Sequence, residues 1–466
     1  VKTPVVPVLL VLLLAAVSVF FGGLDGAGVI ALSGAFLVAF GFLLFRRATT
    51  DVRSVANPRA EDDAQFLWML ILFGIALRVA VTLTLRMTGI NEAVAPDEIT
   101  YDDNGAYFAA WTRGEAPHAF QQYKWKGSMQ VGYFALVGSV YAAFGKYPVL
   151  PVLLNCVVGG LCAYPAYLVA SRVAGRGAGR AAAVLVSFFP SLVLWSSLLI
   201  RDAFVLFFLL WCACLAQSLL EKFRVRTLVL LVVCLAALGT LRSYLVVMTA
   251  AAAVVAFLVG GVRRPGRAIA VSVTCAALVL LLVKGAGLGA DYLGDASLQG
   301  LAMRRQYNAI GGEGAISLDG HDVSTPLGAV TYLPVGLAWF LLSPFPWQFE
   351  GRQGMAVPEV LIWYACIPFV AVGVVFALRR RRRHALVALF VAAFVVLLYS
   401  LVEGNVGIIF RHRAQALVLL LPFAAVGWAR RRRARARALK PWRRAALRPT
   451  DRGAAGRRLG PAAARA

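Results

Sequence analysis

The chain has 466 residues, of which 60% are hydrophobic and only 15% charged. A mean hydropathy of +0.76 excludes a soluble globular enzyme. The net charge of +25 lies in short arginine-rich loops and a basic tail, which argues against a nucleic-acid partner and fits the positive-inside pattern of a membrane protein.

Apolar runs of about 17–22 residues recur along the chain, each long enough to cross a bilayer. Residues 1–45 read as an N-terminal transmembrane hairpin, Val5–Phe21 and Val29–Phe45, joined by the glycine-rich turn Gly22–Gly28. A signal peptide is the alternative for the first run, but no small-x-small cleavage site stands out. A polar cytoplasmic loop follows at 46–64. The third span, Gln65 to Thr88, carries Arg78, which could pair with an acid on a neighbouring helix or snorkel.

A membrane domain then occupies residues 65–430, with outer loops at 89–147 and 289–357. Counting Met129–Gly145 as a span would place the arginine-rich turn at 171–180 outside, so it reads as an interfacial helix. Further spans are expected near 148–170, 181–199, 203–220, 227–241, 244–260 and 268–288. The proline-containing piece Leu327–Trp347 reads as a second interfacial or re-entrant segment, which keeps Arg379–His384 inside. Spans near 358–378, 385–402 and 414–429 lead into the tail, 431–466, expected to be basic, disordered and cytoplasmic. The expected fold class is therefore an all-α polytopic membrane protein with about twelve transmembrane helices plus two interfacial helices. It would sit in the plasma membrane, multi-pass, with its active site outside.

Under that topology the ionisable residues collect on the outer side. Asp97 and Glu98 lie in the run Pro96–Asp102, just beyond the third span. Acids so close to lipid are expensive, so two adjacent carboxylates there suggest a task such as binding and deprotonating a hydroxyl; a solvated polar loop is the rival reading. Arg201-Asp202 interrupts Leu192–Leu210, either as a hairpin turn with snorkelling side chains or as a second functional acid. Arg411-His412-Arg413 is expected at the head of the final span. Three basic residues on an outer end contradict the positive-inside rule, and paired guanidinium groups suit a phosphate. Lys126 is a further phosphate candidate, and Arg242 and Tyr244 sit at an outer turn where they could line a cavity. His118 and His321 read as solvated loop histidines. The seven cysteines fall inside apolar runs with no zinc-ligand spacing, which gives no metal site and no disulfide framework. No P-loop and no Gly-x-Gly-x-x-Gly between a strand and a helix is present.

An arginine-bearing span followed by Asp97-Glu98-x-x-Tyr101 is similar to the opening of membrane glycosyltransferases of the C superfamily, which include protein O-mannosyltransferases and lipid A aminoarabinose transferases. The resemblance continues through Phe134-x-x-x-Gly138, Ala143-Phe144-Gly145, the stretch Ala170–Arg176, Phe189-Pro190-Ser191, Arg201-Asp202 and the segment before Pro422. It covers roughly residues 65–430. It implies a catalytic base at Asp97 with Glu98 beside it, a second acid at Asp202, and donor-phosphate contacts from Arg201, Arg411, His412, Arg413 and Lys126. At Lys126-Gly127-Ser128 the chain departs from the family's Lys-Pro-Pro. The partners implied are a polyprenyl-phosphate sugar, a glycan, lipid or protein acceptor, and membrane lipids, with no nucleic acid. No cofactor is expected beyond the lipid-linked donor, and the sequence leaves a divalent cation open. A polysaccharide polymerase or ligase, or a flippase, are the competing functions; a flippase would show midplane charges and repeated halves, and no repeat is visible.

Overall fold

A computed structural model describes residues 59–115, 131–259, 266, 273, 277, 297–309, 314–316, 321–348, 356–380 and 383–446. The hairpin expected at 1–45, the span near 268–288 apart from residues 273 and 277, and Lys126 lie outside the described residues. Among those described the chain is helical, apart from one isolated antiparallel bridge between Ala315 and Asn405.

Helix α1 (Arg59–Met87) carries Glu61 and Asp62 in its first turn and Arg86 in its last, charges that suit the helix dipole at each end. A single turn, α2 (Asn91–Val94), leads into α3 (Asp97–Thr112), which starts directly after Pro96. Helix α4 (Val131–Phe144) packs against α3, and Gly105 and Gly138 permit the close approach: a Cβ at Gly138 would meet the Gly105 carbonyl at 2.8 Å.

Helices α5 (Val149–Leu161) and α6 (Ala163–Ala174) form one nearly continuous rod. Then α7 (Arg176–Phe188) stops at the extended Phe189, and Pro190 opens the short α8 (Pro190–Trp195). Residues 196–201 are not helical; α9 (Asp202–Glu221), α10 (Val225–Leu241) and α11 (Ser243–Val259) follow. Beyond these lie α12 (Leu298–Ala309) and α13 (Pro326–Leu342), the latter started by Thr325, whose side chain accepts from the Gly328 N–H. The last three helices are α14 (Val357–Arg379), α15 (Arg383–Val402) and α16 (Val406–Ala446).

The twelve-span expectation is corrected. Among the described residues six helices are long and apolar enough to cross a membrane: Glu61–Met87, Val149–Ala174, Asp202–Glu221, Val357–Arg379, Ala385–Val402 and Val406–Arg435. Four other apolar helices are shorter, namely Gly132–Phe144, Val225–Leu241, Ser243–Val259 and Pro326–Leu342. Apolar run length misled for a physical reason. The run at 181–199 is broken by Phe189-Pro190 and an unwound segment. Helices of 17 residues, such as α10 and α11, extend only about 26 Å, short of a ~30 Å hydrocarbon core. The tail is corrected in part as well: α16 continues through Ala446, so the arginine-rich stretch after 430 begins as helix where disorder was expected.

The centre of the bundle is α16, which packs on α14, α7, α15 and α6 and buries Ala414, Ala416, Leu417, Val418, Leu419 and Leu421. Its contact with α14 brings backbone against backbone. A Cβ at Gly427 would lie 1.9 Å from the Phe369 carbonyl oxygen, and one at Gly373 would lie 2.0 Å from that of Phe423. Small residues at such crossings let helices pack without a hydrophobic driving force.

Each end of the bundle holds a buried carboxylate paired with arginines. At one end, buried Asp63 accepts from Arg176, from Arg180 at 2.6 Å and from Tyr167 at 2.8 Å, and Arg433 of α16 lies beside Gly175. Arg411 is near the other end of α16, about 33 Å away along the helix axis at ~1.5 Å per residue.

Candidate functional site

The end of the bundle near Arg411 gathers the start of α3, the unwound 196–201 segment with the start of α9, the α10–α11 junction, the end of α15 and the first turns of α16. Unwound backbone among apolar helices needs partners for its N–H and C=O groups. Buried Arg78 donates to Ser196 Oγ at 2.7 Å and to the carbonyls of Ser187 and Gly74 at 2.9 Å. It neither snorkels nor meets an acid; its partners are a hydroxyl and two carbonyls, and its role is the structural one. Thr82 donates to the Ser197 carbonyl at 3.0 Å. The Asn155 amide reaches the carbonyls of Leu198 (2.6 Å) and Ile200 (2.9 Å). Glu98 completes the set: it is buried, accepting from the Leu199 N–H at 2.5 Å and from Asn91 Nδ2 at 2.7 Å. Its carboxylate therefore braces the backbone that presents Arg201 and Asp202.

Asp97, Asp202 and Arg411 come together. The Arg411 guanidinium donates through Nε (3.0 Å) and Nη2 (2.7 Å) to Asp202 Oδ2, and through Nη1 to Asp97 Oδ2 at 2.6 Å. Exposure grades across this chain: the side chain of Asp97 is 55% exposed, that of Arg411 16% and that of Asp202 2%. Arg242, at the α10–α11 junction, donates to Asp202 Oδ1 at 3.2 Å. Two guanidinium groups thus share one buried carboxylate. Burial works against the charge of Arg242, yet the Tyr244, Asp202 and Tyr399 oxygens outweigh it and hold the group well above the ordinary arginine value.

Arg242 also organises a chain of neutral groups. Its Nη1 donates to the Tyr244 hydroxyl at 2.7 Å; Tyr244 and Tyr399 hydroxyls lie 2.6 Å apart, and Tyr399 donates to Gln415 Oε1 at 2.8 Å. The same Nη1 lies 2.8 Å from His412 Nε2. Arginine has no lone pair to offer, so His412 Nε2 accepts and the proton sits on Nδ1, donated to Glu403 Oε1 at 2.7 Å. The ring also stacks on Tyr399 with centroids 4.6 Å apart.

The remaining candidates are distributed differently from the sequence expectation. The triplet lies inside α16, not before it, so successive side chains turn by ~100°. Arg413 consequently points elsewhere: fully buried, it donates to the Ser343 carbonyl and pairs with Glu359 at 3.3 Å. Arg201 is buried and donates to the Leu241 carbonyl at 2.8 Å, tying α9 to the α10–α11 junction. Asp102, next along α3, accepts from Tyr141 at 2.5 Å and pairs with Lys146 at 2.8 Å, and that hydrogen bond lifts the Lys146 amine above the usual lysine range.

Sequence reasoning gave little weight to Arg242, which interrupts two apolar runs just as Arg201 does and could have been singled out by that signal. Tyr399, Glu403, Gln415 and Asn155 carry no comparable mark. A separate cleft of about 550 Å³ lies between α12 and the residues Ile316 and Asp322–Ser324, lined in part by Arg305 and Gln306. Arg305 donates to the Glu403 carbonyl at 2.6 Å, which joins the cleft to the charged cluster through Glu403 and His412. Among the described residues no three His, Cys, Asp or Glu side chains are grouped to hold a metal ion. No protein-family model matches this chain, and no curated protein matches it.

Proposed function

We propose that this chain is an integral-membrane glycosyltransferase of the C-superfamily type. It moves a sugar from a polyprenyl-phosphate donor to a glycan, lipid or protein acceptor on the outer face of the membrane. The observation that carries the reading is the single guanidinium of Arg411 joining Asp97 to Asp202 at the mouth of a bundle with several candidate membrane-spanning helices. Transfer needs an accessible carboxylate to take a proton and a fixed cation to receive a leaving phosphate, and Asp97 and Arg411 supply the two once Asp97 has left its 2.6 Å contact to stand across the anomeric carbon from Arg411.

In this mechanism Asp97 accepts the proton of the acceptor hydroxyl as its oxygen attacks the anomeric carbon. The bond from that carbon to the phosphate oxygen breaks on the opposite face, so the configuration inverts, and the phosphate leaves against Arg411. Asp202 and Arg242 position Arg411, since both Asp202 oxygens are engaged and the group is buried. Glu98 acts through the backbone it braces. Arg413 and His412 have no contact with the donor in this scheme.

The test is transfer of labelled sugar from a polyprenyl-phosphate carrier by the full chain in proteoliposomes. Wild type should transfer, Arg411→Ala should lose at least about 100-fold, and Arg411→Lys should recover only part because the forked geometry is gone. Translocation of the labelled lipid without any sugar transfer would replace this reading with a flippase.

A further inference from the structure

We infer that Asp97 and the donor phosphate compete for the same face of Arg411, so that donor binding itself releases the base. The inference rests on the reading above and concerns how one site couples its two substrates. Arg411 has five N–H groups in a fixed fork. Asp202 holds the Nε and Nη2 edge from the buried side, and Asp202 is itself fixed by Arg242. The edge turned toward solvent is Nη1, and Asp97 occupies it at 2.6 Å. An incoming phosphate oxygen aimed at Nη1 would meet the Asp97 carboxylate there. Two anions at that spacing repel, so one displaces the other.

The exchange is asymmetric in a useful way. Asp97 is the outermost member of the chain and half exposed, so its pair with Arg411 is weak, whereas the Asp202 fork is shielded. A ligand anion therefore removes Asp97 and leaves Arg411 in place. Once released, Asp97 stays at the first turn of α3 with its Oδ2 no longer held by Nη1. The oxygen that Nη1 had occupied is then open to the O–H of the acceptor. The base is thus held back until a donor is present.

The exchange makes a prediction that a simple loss of the base does not. Binding of sugar-free polyprenyl phosphate to the full chain in nanodiscs is measured by titration calorimetry for wild type, Asp97→Asn, Asp103→Asn and Arg411→Ala. Asp97→Asn should bind about two- to fivefold tighter, the equivalent of losing one exposed ion pair as competitor, while losing turnover. Asp103→Asn removes an exposed charge from the same helix and should leave affinity unchanged. Neutral polyprenol should bind Asp97→Asn and wild type alike. Asp97→Ala, with the same expected sign, guards against a local effect of the amide. Unchanged or weaker phosphate binding by both Asp97 variants would overturn the exchange and leave the transferase reading standing. Equal tightening in Asp103→Asn would reduce it to general repulsion. No loss of phosphate binding in Arg411→Ala would remove the site itself.

Discussion

Arg242 Nη1 donates to His412 Nε2 at 2.8 Å, which makes His412 a neutral imidazole with its proton directed at Glu403. The histidine in the middle of a basic triplet therefore links two charged groups and is not itself a cation. His412→Gln keeps an acceptor for Arg242 and should retain turnover within about tenfold. His412→Lys sets an ammonium against a buried guanidinium, should cost about 3–5 kcal/mol of stability and should lower the melting temperature sharply. Thermal unfolding in detergent reads both. A phosphate-binding His412 would give the opposite order, with lysine the milder change.

Arg413 and Glu359 form a buried pair between α14 and α16. Arg413→Met alone should destabilise by about 3–5 kcal/mol, because it strands Glu359. Adding Glu359→Leu should restore much of that loss, and a double-mutant cycle measures the difference. The double variant should also keep its affinity for polyprenyl phosphate. Loss of that affinity in a well-folded double variant would return Arg413 to the donor site.

Gly427→Leu should abolish recovery of monodisperse protein on size exclusion, since its Cβ would stand 1.9 Å from the Phe369 carbonyl and backbone cannot move aside without separating α14 from α16. Gly177→Ala, in a helix position with nothing near its Cβ, is the matched control and should behave as wild type.

The orientation expected from the positive-inside pattern is open to a direct test. A cysteine placed at Asp103 should react with an impermeant maleimide on intact cells, and one at Arg433 should react only after permeabilisation. Cys156, Cys162, Cys212, Cys214 and Cys366 are buried and Cys234 is half-buried, and the parent chain without an added cysteine serves as the labelling control. Reaction at Arg433 on intact cells would invert the orientation.

The sequence by itself determined that the described chain is helical and apolar, that most of its arginines gather in loops and at helix ends, and that Asp97, Arg201-Asp202 and Arg411 are candidates for a site. Those are local properties: run length, composition, and charge where charge is expensive. It overcounted the spans, because a run of apolar residues does not reveal where proline and unwound backbone divide it, as at Phe189-Pro190. It also could not separate neighbours. Asp97 and Glu98 are adjacent, yet one faces solvent and the other caps the Leu199 N–H. Arg411, His412 and Arg413 are consecutive, yet they meet Asp97, Glu403 and Glu359 respectively. Which direction each side chain takes follows from helix periodicity, but what waits in that direction is set by how α3, α9, α14 and α15 pack around α16. Contacts between residues hundreds of positions apart exist only after those helices have closed on one another, so only the tertiary structure decided them.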